Sequence, residues 1–350
     1  MVYFTILSNP KKIYASMLKD ISNAKKEIYL ETYIYDDDEI GASFKQALIK
    51  KAASGVKVML LIDAWGSSVN KDYFQELIDL GAQVRFFREM RYAIRIISAN
   101  HERNHRKLLI IDQNLAYMGS ANITASCLSW RELVLRIRGE LSSKLANSFM
   151  LSWNSFNKNT FVQARTIFHK GFQIIQDVPS DDHQLTRFKY ISLIKSAKKE
   201  IYIETPYFVP SGRIRKALYE AVERGVKVRL VLPYLSDVRL IDLVRNRYLS
   251  KFFHKGIEIH YYKKTSMHSK LLIIDRSFFL LGSSNVDYRS FIHQHEINLI
   301  GTDPAIISLL KNYSKETLSG CAPFDYNEWE NRSSIGKIAE KILFLVRGYL

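Results

Sequence analysis

Cysteine is nearly absent from this chain. Cys127 and Cys321 are too few for a disulfide framework and have no metal-ligand spacing, so they read as free structural thiols in a reducing compartment. Long apolar runs are missing too. The best of them, Val58 to Ile62, is broken within a few residues by charge, whereas a membrane span needs about 20 mostly apolar residues. Met1 to Leu7 has no basic stretch and is too short for a signal peptide. Any meeting with a membrane is therefore expected at its surface, as a peripheral protein on the cytoplasmic side. No carboxylate cluster suited to divalent cations stands out beyond Asp36-Asp37-Asp38, which reads as a solvated loop. No metal and no other cofactor is expected. Acidic residues are in short supply, with Asp plus Glu at 35 against Lys plus Arg at 51, a net charge of +16. That excess favours an anionic partner, either nucleic acid or an anionic membrane surface, without choosing between them. The 350 residues are otherwise ordinary, 47% hydrophobic and 25% charged, which excludes disorder and low-complexity scaffolds.

The chain contains its own repeat. Ala24-Lys25-Lys26-Glu27-Ile28-Tyr29-Leu30-Glu31-Thr32 recurs as Ala197-Lys198-Lys199-Glu200-Ile201-Tyr202-Ile203-Glu204-Thr205. Gly55-Val56-Lys57-Val58 recurs as Gly225-Val226-Lys227-Val228, and Gly119-Ser120-Ala121-Asn122 as Gly282-Ser283-Ser284-Asn285. Order is kept while the offset shrinks, as expected when loops change length and elements do not. Within each copy, strands such as Glu27–Tyr35 and 226–232 alternate with helices such as 40–54 and 212–224. This predicts an α/β fold, with each half a sheet covered by helices on both faces. The halves are taken as 1–165 and 166–350, with the boundary in the polar stretch 156–180 around Pro179.

Both halves carry His-x-Lys-x-x-x-x-Asp, as His105, Lys107 and Asp112, and as His268, Lys270 and Asp275. On a strand, positions i and i+2 share a face, so each His-Lys pair is expected to point one way. The Asp stands an odd step away, which suits a structural or turn role better than chemistry. Further on, Ser120 with Asn122 and Ser283 with Asn285 form neutral anion cradles beside a glycine. Two such sets fit a tetrahedral phosphoryl group. Lysines and amides neutralise its oxygens, one imidazole attacks phosphorus, and the other protonates the leaving alkoxide, with no metal required. Glu132 follows His105, and Glu296 follows His268, at nearly the same distance. A carboxylate on the second ring nitrogen would fix the tautomer and stabilise the imidazolium.

With these residues in view, the chain resembles the phospholipase D superfamily, whose signature is the duplicated His-Lys-Asp motif, and within it the bacterial cardiolipin synthases. Asn104-His105-Arg106-Lys107, Trp130-Arg131-Glu132, Met267-His268-Ser269-Lys270, Glu204-Thr205-Pro206-Tyr207-Phe208, Pro210 and Gly282 to Ser290 carry the likeness. The resemblance implies two α-β-α sandwich lobes related by a pseudo-twofold axis, with one active site at their interface. It implies a phosphohistidine on His105 as nucleophile and His268 as general acid, then base, the swapped assignment staying open. Lys107, Lys270, Asn122 and Asn285 would hold phosphate, with Ser120 and Ser283 as further phosphate-binding candidates. Glu132 and Glu296 would orient the histidines. The implied reaction joins two phosphatidylglycerols into cardiolipin and glycerol.

Many relatives begin with two transmembrane helices, whereas here the first repeat starts almost at Met1, so membrane docking is expected from other features. One is the stretch with Arg85, Arg88, Arg91, Arg95, Arg103 and Arg106 interleaved with Phe86, Phe87, Met90, Tyr92, Ile94, Ile96 and Ile97. The other is Ile335 to Leu350, with Ile335, Ile338, Ile342, Leu345 and Tyr349 at near-helical spacing beside Lys337, Lys341 and Arg347. This helix is read either as lying in the lipid interface or as packed on the body. A nuclease, a phospholipase releasing phosphatidic acid, and a basic lipid-binding scaffold are the rival readings. Nucleic acid is disfavoured because no added nucleic-acid module is present.

Overall fold

A computed structural model describes residues 2–88, 102–156, 163–180 and 183–345. The first half forms β1 (Tyr3–Leu7), β2 (Glu27–Thr32), β3 (Lys57–Asp63), β4 (Gln83–Phe87), β5 (Arg103–Asn104), β6 (Leu108–Ile111), β7 (Leu115–Gly119) and β8 (Val134–Arg138). The second forms β9 (Arg165–His169), β10 (Phe172–Asp177), β11 (Glu200–Glu204), β12 (Lys227–Pro233), β13 (Glu258–Tyr262), β14 (Leu271–Ile274), β15 (Phe278–Gly282), β16 (Gln294–Gly301) and β17 (Cys321–Pro323). One sheet runs β1-β8-β7-β6-β2-β3-β4, and the other runs β17-β13-β12-β11-β14-β15-β16-β10-β9. With β9 and β17 set aside as edge additions, the two orders are the same. Even the registers correspond: Glu27 faces Lys57 and Ile28 faces Ile111, as Glu200 faces Lys227 and Ile201 faces Ile274.

The apolar runs explain the layering. Leu108 and Ile110 point into a core shared by both halves, while Leu109 and Ile111 join an outer core of the first half. Leu271 and Ile273 point into the same shared core, and Leu272 and Ile274 join the outer core of the second. A four-residue strand without a polar residue is thus buried on both faces. The helices Glu140–Ser155 and Pro304–Ser319 supply Leu145, Phe149, Leu310 and Tyr313 to the shared core. Pro10–Ser22 and Glu39–Ala53 cover the outer face of the first sheet. Local chemistry starts these helices: Asn9 accepts from the Lys12 amide ahead of Pro10, and Asp303 accepts from Ala305 and Ile306 ahead of Pro304.

Two readings change here. Asp38 is not a solvated loop residue. It caps Glu39–Ala53 through the amides of Ile40 and Gly41, and its other oxygen takes the Ala125 amide and the Thr124 hydroxyl. Asp36 likewise accepts from Ser68. The basic-apolar stretch also folds inward where it is described. Phe86 and Phe87 are buried, Arg85 lies over Trp153, Arg88 pairs with Glu102, and Arg106 is buried. The rest of that stretch, 89–101, lies outside the described residues.

Candidate active site

The backbone brings the two motifs together across the halves. β5 pairs in parallel with the start of β16, and the His105 amide then donates to the His295 carbonyl at 3.0 Å. The second motif mirrors this: Arg131 and Met267 bridge in parallel, and the His268 amide donates to the Arg131 carbonyl at 2.8 Å. Each histidine is thereby tied to the residue just before the other half's glutamate. The side chains follow. His105 Nδ1 lies 3.0 Å from Glu296, and His268 Nδ1 lies 3.2 Å from Glu132. Both carboxylates are wholly buried. The pairing is therefore crossed, although sequence spacing offered an equal match within each half.

Ser120 and Ser283 take a different task from phosphate binding. Ser120 donates its hydroxyl proton to Glu132, and Ser283 donates to Glu296, while each oxygen accepts from a backbone amide, of Leu133 or Ile297. Fully buried and committed at both ends, they hold the carboxylates that hold the imidazoles. The preceding glycines are required by close approach. A Cβ on Gly119 would sit 2.1 Å from the Leu133 oxygen, and one on Gly282 would sit 2.2 Å from the Ile297 oxygen.

Residues 105–107 and 268–270 are not strand but irregular backbone ahead of β6 and β14. What keeps each His-Lys pair together is a direct link. Lys107 Nζ donates to the His105 carbonyl at 2.8 Å, and Lys270 Nζ donates to the His268 carbonyl at 2.6 Å. The residue between them anchors each segment differently, Arg106 reaching into the second half and Ser269 staying on its own sheet. Arg106 lies 3.9 Å from Glu31 and donates to the Asp177 carbonyl, while Ser269 donates to Glu204, which also accepts from Tyr202 and Tyr313. Asp112 and Asp275 lie away from the histidines, in turns at positive φ. Asp112 accepts from the amides of Lys25, Lys26 and Glu27, and Asp275 from those of Lys198, Lys199 and Glu200.

His105 and His268 line one recess of about 720 Å³ together with Asn122 and Asn285. The amide oxygens of both asparagines are buried without a hydrogen-bond partner. Since the two ends of an amide exchange by rotation, either end can meet a ligand. Leaving such groups unpaired costs about 1–3 kcal/mol each, a cost typical of a binding site. Sequence reasoning did not single out several wall residues. Tyr33 packs edge-on to His105 and Trp130 edge-on to His268, at 5.0 and 5.2 Å. Tyr207, Asp237, Asp287, Arg289 and Gln294 complete the wall. Arg289 and Asp287 sit in the Gly282 to Ser290 stretch, so proximity to the motif could have found them. Asp237 has no such signal.

Electrostatics separate the two halves. Burial, then Lys107, Lys270, His268 and Arg289, push the proton affinity of His105 well below that of free imidazole. His268 is also lowered by burial and Lys270, but Glu132 and Asp237 pull the other way. Burial pushes Glu296 up to about 8. At Glu132 the same burial is outweighed by His268, Lys270 and Ser120, which hold its carboxyl below the usual range. Burial lowers Lys107 to about 7 and Lys270 to about 8. Among the described residues, no three His, Cys, Asp or Glu side chains gather as metal ligands do.

Two repeated α/β halves closed around one recess lined by paired histidines and asparagines define the phospholipase D-like class. The family described as "Cardiolipin synthase, PLD-like domain" matches residues 17–153 and 190–318, and the chain belongs to it. It is 32% identical to a cardiolipin synthase of Clostridium perfringens, over 95% of this chain and 74% of that one. It is 30% identical to the major cardiolipin synthase ClsA of Bacillus subtilis, over 96% of this chain and 73% of the relative. In fold it is similar to the phosphatidylserine synthase of Haemophilus influenzae, with a TM-score of 0.79 at 14% identity, covering 99% of this chain and 95% of the other.

The lowered lysines give a pH dependence with a definite sign. With the protonated ammonium assigned as the anion-binding form, affinity for tungstate is expected to fall as pH rises through about 7 to 8, where Lys107 and Lys270 lose their protons and Glu296 becomes charged. Calorimetry at pH 6.5 and pH 9 is expected to read a loss of about tenfold or more, and Lys270→Arg, whose guanidinium does not titrate there, to reduce that loss, Lys107 and Glu296 still titrating.

Proposed function

We propose that this protein is a phosphatidyltransferase of the cardiolipin synthase type. His105 Nε2 attacks the phosphorus of one phosphatidylglycerol, the bond to the glycerol oxygen breaks, and His268 gives that oxygen its proton. Glycerol leaves and the phosphatidyl group remains on His105. The terminal hydroxyl of a second phosphatidylglycerol then loses its proton to His268 and attacks phosphorus, which frees His105 and forms cardiolipin. Lys107, Lys270, Asn122 and Asn285 hold the phosphoryl oxygens. Glu132, and Glu296 in its ionised form, keep the Nδ1 protons in place, so that Nε2 of each ring is the reacting atom.

The observation that carries this reading is one recess lined by both histidines, each held at Nδ1 by a buried glutamate of the opposite half. The unequal surroundings support the order of roles. A neutral His105 is a nucleophile, and His268, beside ionised Glu132, is the better proton carrier. The chemistry proceeds without a metal ion. Either His105→Ala or His268→Ala is expected to remove at least ~10²-fold of the rate on phosphatidylglycerol vesicles, the scale of a lost acid or base, and chelator is expected to leave it unchanged. Mass analysis of the lipids should find cardiolipin. Phosphatidic acid as sole product would assign the second step to water.

Access to lipid fits a peripheral mode at the cytoplasmic face of the membrane. Among the described residues no helix is long and apolar enough to cross a bilayer. Helix Ser334–Leu345 packs on Arg239–His254 through Leu343, Phe344 and buried Glu340, which Arg332 and Asn246 hold. Its other face leaves Ile335, Ile338, Ile342 and Leu345 between 57% and 81% exposed. The packed alternative thus describes one face of this helix, and the exposed apolar face is the one we assign to lipid. Tyr349 and Arg347 lie outside the described residues. An anionic bilayer suits this face, with Lys337 and Lys341 on the same helix and +16 on the whole chain. The double change Ile338→Ser and Ile342→Ser is expected to weaken sedimentation with phosphatidylglycerol vesicles about tenfold or more, without lowering Tm. Unchanged binding would count against the assignment.

A further inference from the structure

The lining of the recess departs from twofold symmetry in a way that bears on headgroup choice. His105 matches His268, and Asn122 matches Asn285. Arg289 stands where the first half has Ser126, and Tyr207 where it has Ile34. Asp237 lies in the turn between β12 and the helix Arg239–His254. At the matching place, between β3 and β4, the first half has only the turn Asp72–Phe74 and the short helix Gln75–Asp79.

These additions give the recess two unlike ends. The Arg289 guanidinium acts on His105 and on Tyr33 beside it. The Asp237 carboxylate acts on His268. Asp237 is solvent-exposed, yet it is held in place by the Tyr207 hydroxyl, 2.8 Å from each of its oxygens. One phenol proton leaves most of the acceptor capacity of a carboxylate unused. What it accepts from can be narrowed by charge. A phosphoryl oxygen is repelled, so the phosphate belongs with the lysines and asparagines. An ammonium can only donate, and Arg289, Lys107 and Lys270 in the same site oppose it. A hydroxyl donates to the carboxylate and accepts from a neighbouring donor, so a polyol satisfies both signs.

On the reading of the previous subsection, the alcohol that leaves, and the alcohol that enters, do so on the His268 side. We propose that Asp237, set by Tyr207, forms the subsite that binds the polyol headgroup of the departing and incoming alcohol. It makes Asp237 a specificity-determining residue, distinct from the groups that hold phosphate.

The test is a competition between acceptors. Purified protein on phosphatidylglycerol vesicles is given isotope-labelled glycerol, methanol or ethanolamine, and transfer of the phosphatidyl group to each is followed. Asp237→Ala is expected to lower the glycerol-to-methanol preference about tenfold, mainly through KM for glycerol, the scale of a hydrogen bond to a charged group. Tyr207→Phe should lower it less, and Asp237→Asn, which keeps an acceptor, should retain part of it. An unchanged preference in Asp237→Ala would overturn the subsite. So would loss of transfer to every acceptor alike, which would make Asp237 a support of His268, and so would a wild-type preference for ethanolamine over glycerol. Wild type with no transfer to any alcohol would bring down the transferase reading itself, a result separable from all of these.

Discussion

The structure depends on two buried carboxylates that cannot be left alone. Glu132 and Glu296 are removed from water entirely, and a buried carboxyl left without a hydrogen-bond partner, ionised as at Glu132 or not, is costly. Each finds its partner, an imidazole Nδ1, only in the opposite half. The serine behind each glutamate holds it within its own half, and the backbone bonds from His105 to His295 and from His268 to Arg131 complete the same crossing. The halves are thus joined by polar groups at the point where chemistry is needed, and by the shared apolar core elsewhere. Separating them would expose that core and strand both carboxylates. Joining and positioning are one interaction.

Much of this was legible in the sequence because the duplication repeats chemistry as well as pattern. The strands Leu108–Ile111 and Leu271–Ile274 are apolar throughout because both faces are buried, and their ends are marked by the Asp112 and Asp275 turns. The crossing of the glutamates was not legible. Glu132 is nearly as far from His105 in sequence as Glu296 is from His268, and only the docking of the halves decides which imidazole each meets. Strand periodicity misplaced the His-Lys pairs because residues 105–107 and 268–270 precede their strands, where a lysine-to-carbonyl bond takes over from the pleat. Ser120 and Ser283 look like phosphate ligands in one dimension, since the carboxylates they serve become neighbours only when β7 pairs with β8 and β15 with β16.

Symmetry builds the site and asymmetry gives it direction. The duplicated residues supply two equivalent imidazoles, which by themselves could act in either order. Single-copy residues make their surroundings unequal, with Arg289 acting on His105 and Asp237 on His268, and the order of roles we propose follows that inequality. The added helix Arg239–His254 serves twice over. The turn that leads into it brings Asp237 to the recess, and its outer side seats the C-terminal helix whose apolar face is exposed. The headgroup subsite and the lipid-facing helix we propose are therefore neighbouring parts of the second half.

The central claim is that one recess holds a nucleophilic His105 and an acid-base His268. The most direct measurement uses phosphatidyl-p-nitrophenol, whose leaving group needs no proton, with the His268→Ala protein, followed by alkaline quench and peptide mass mapping. The account predicts a nitrophenolate burst approaching one per chain and a phosphatidyl adduct on the peptide that contains His105. A burst without that adduct, or an equal burst from His105→Ala, would contradict it.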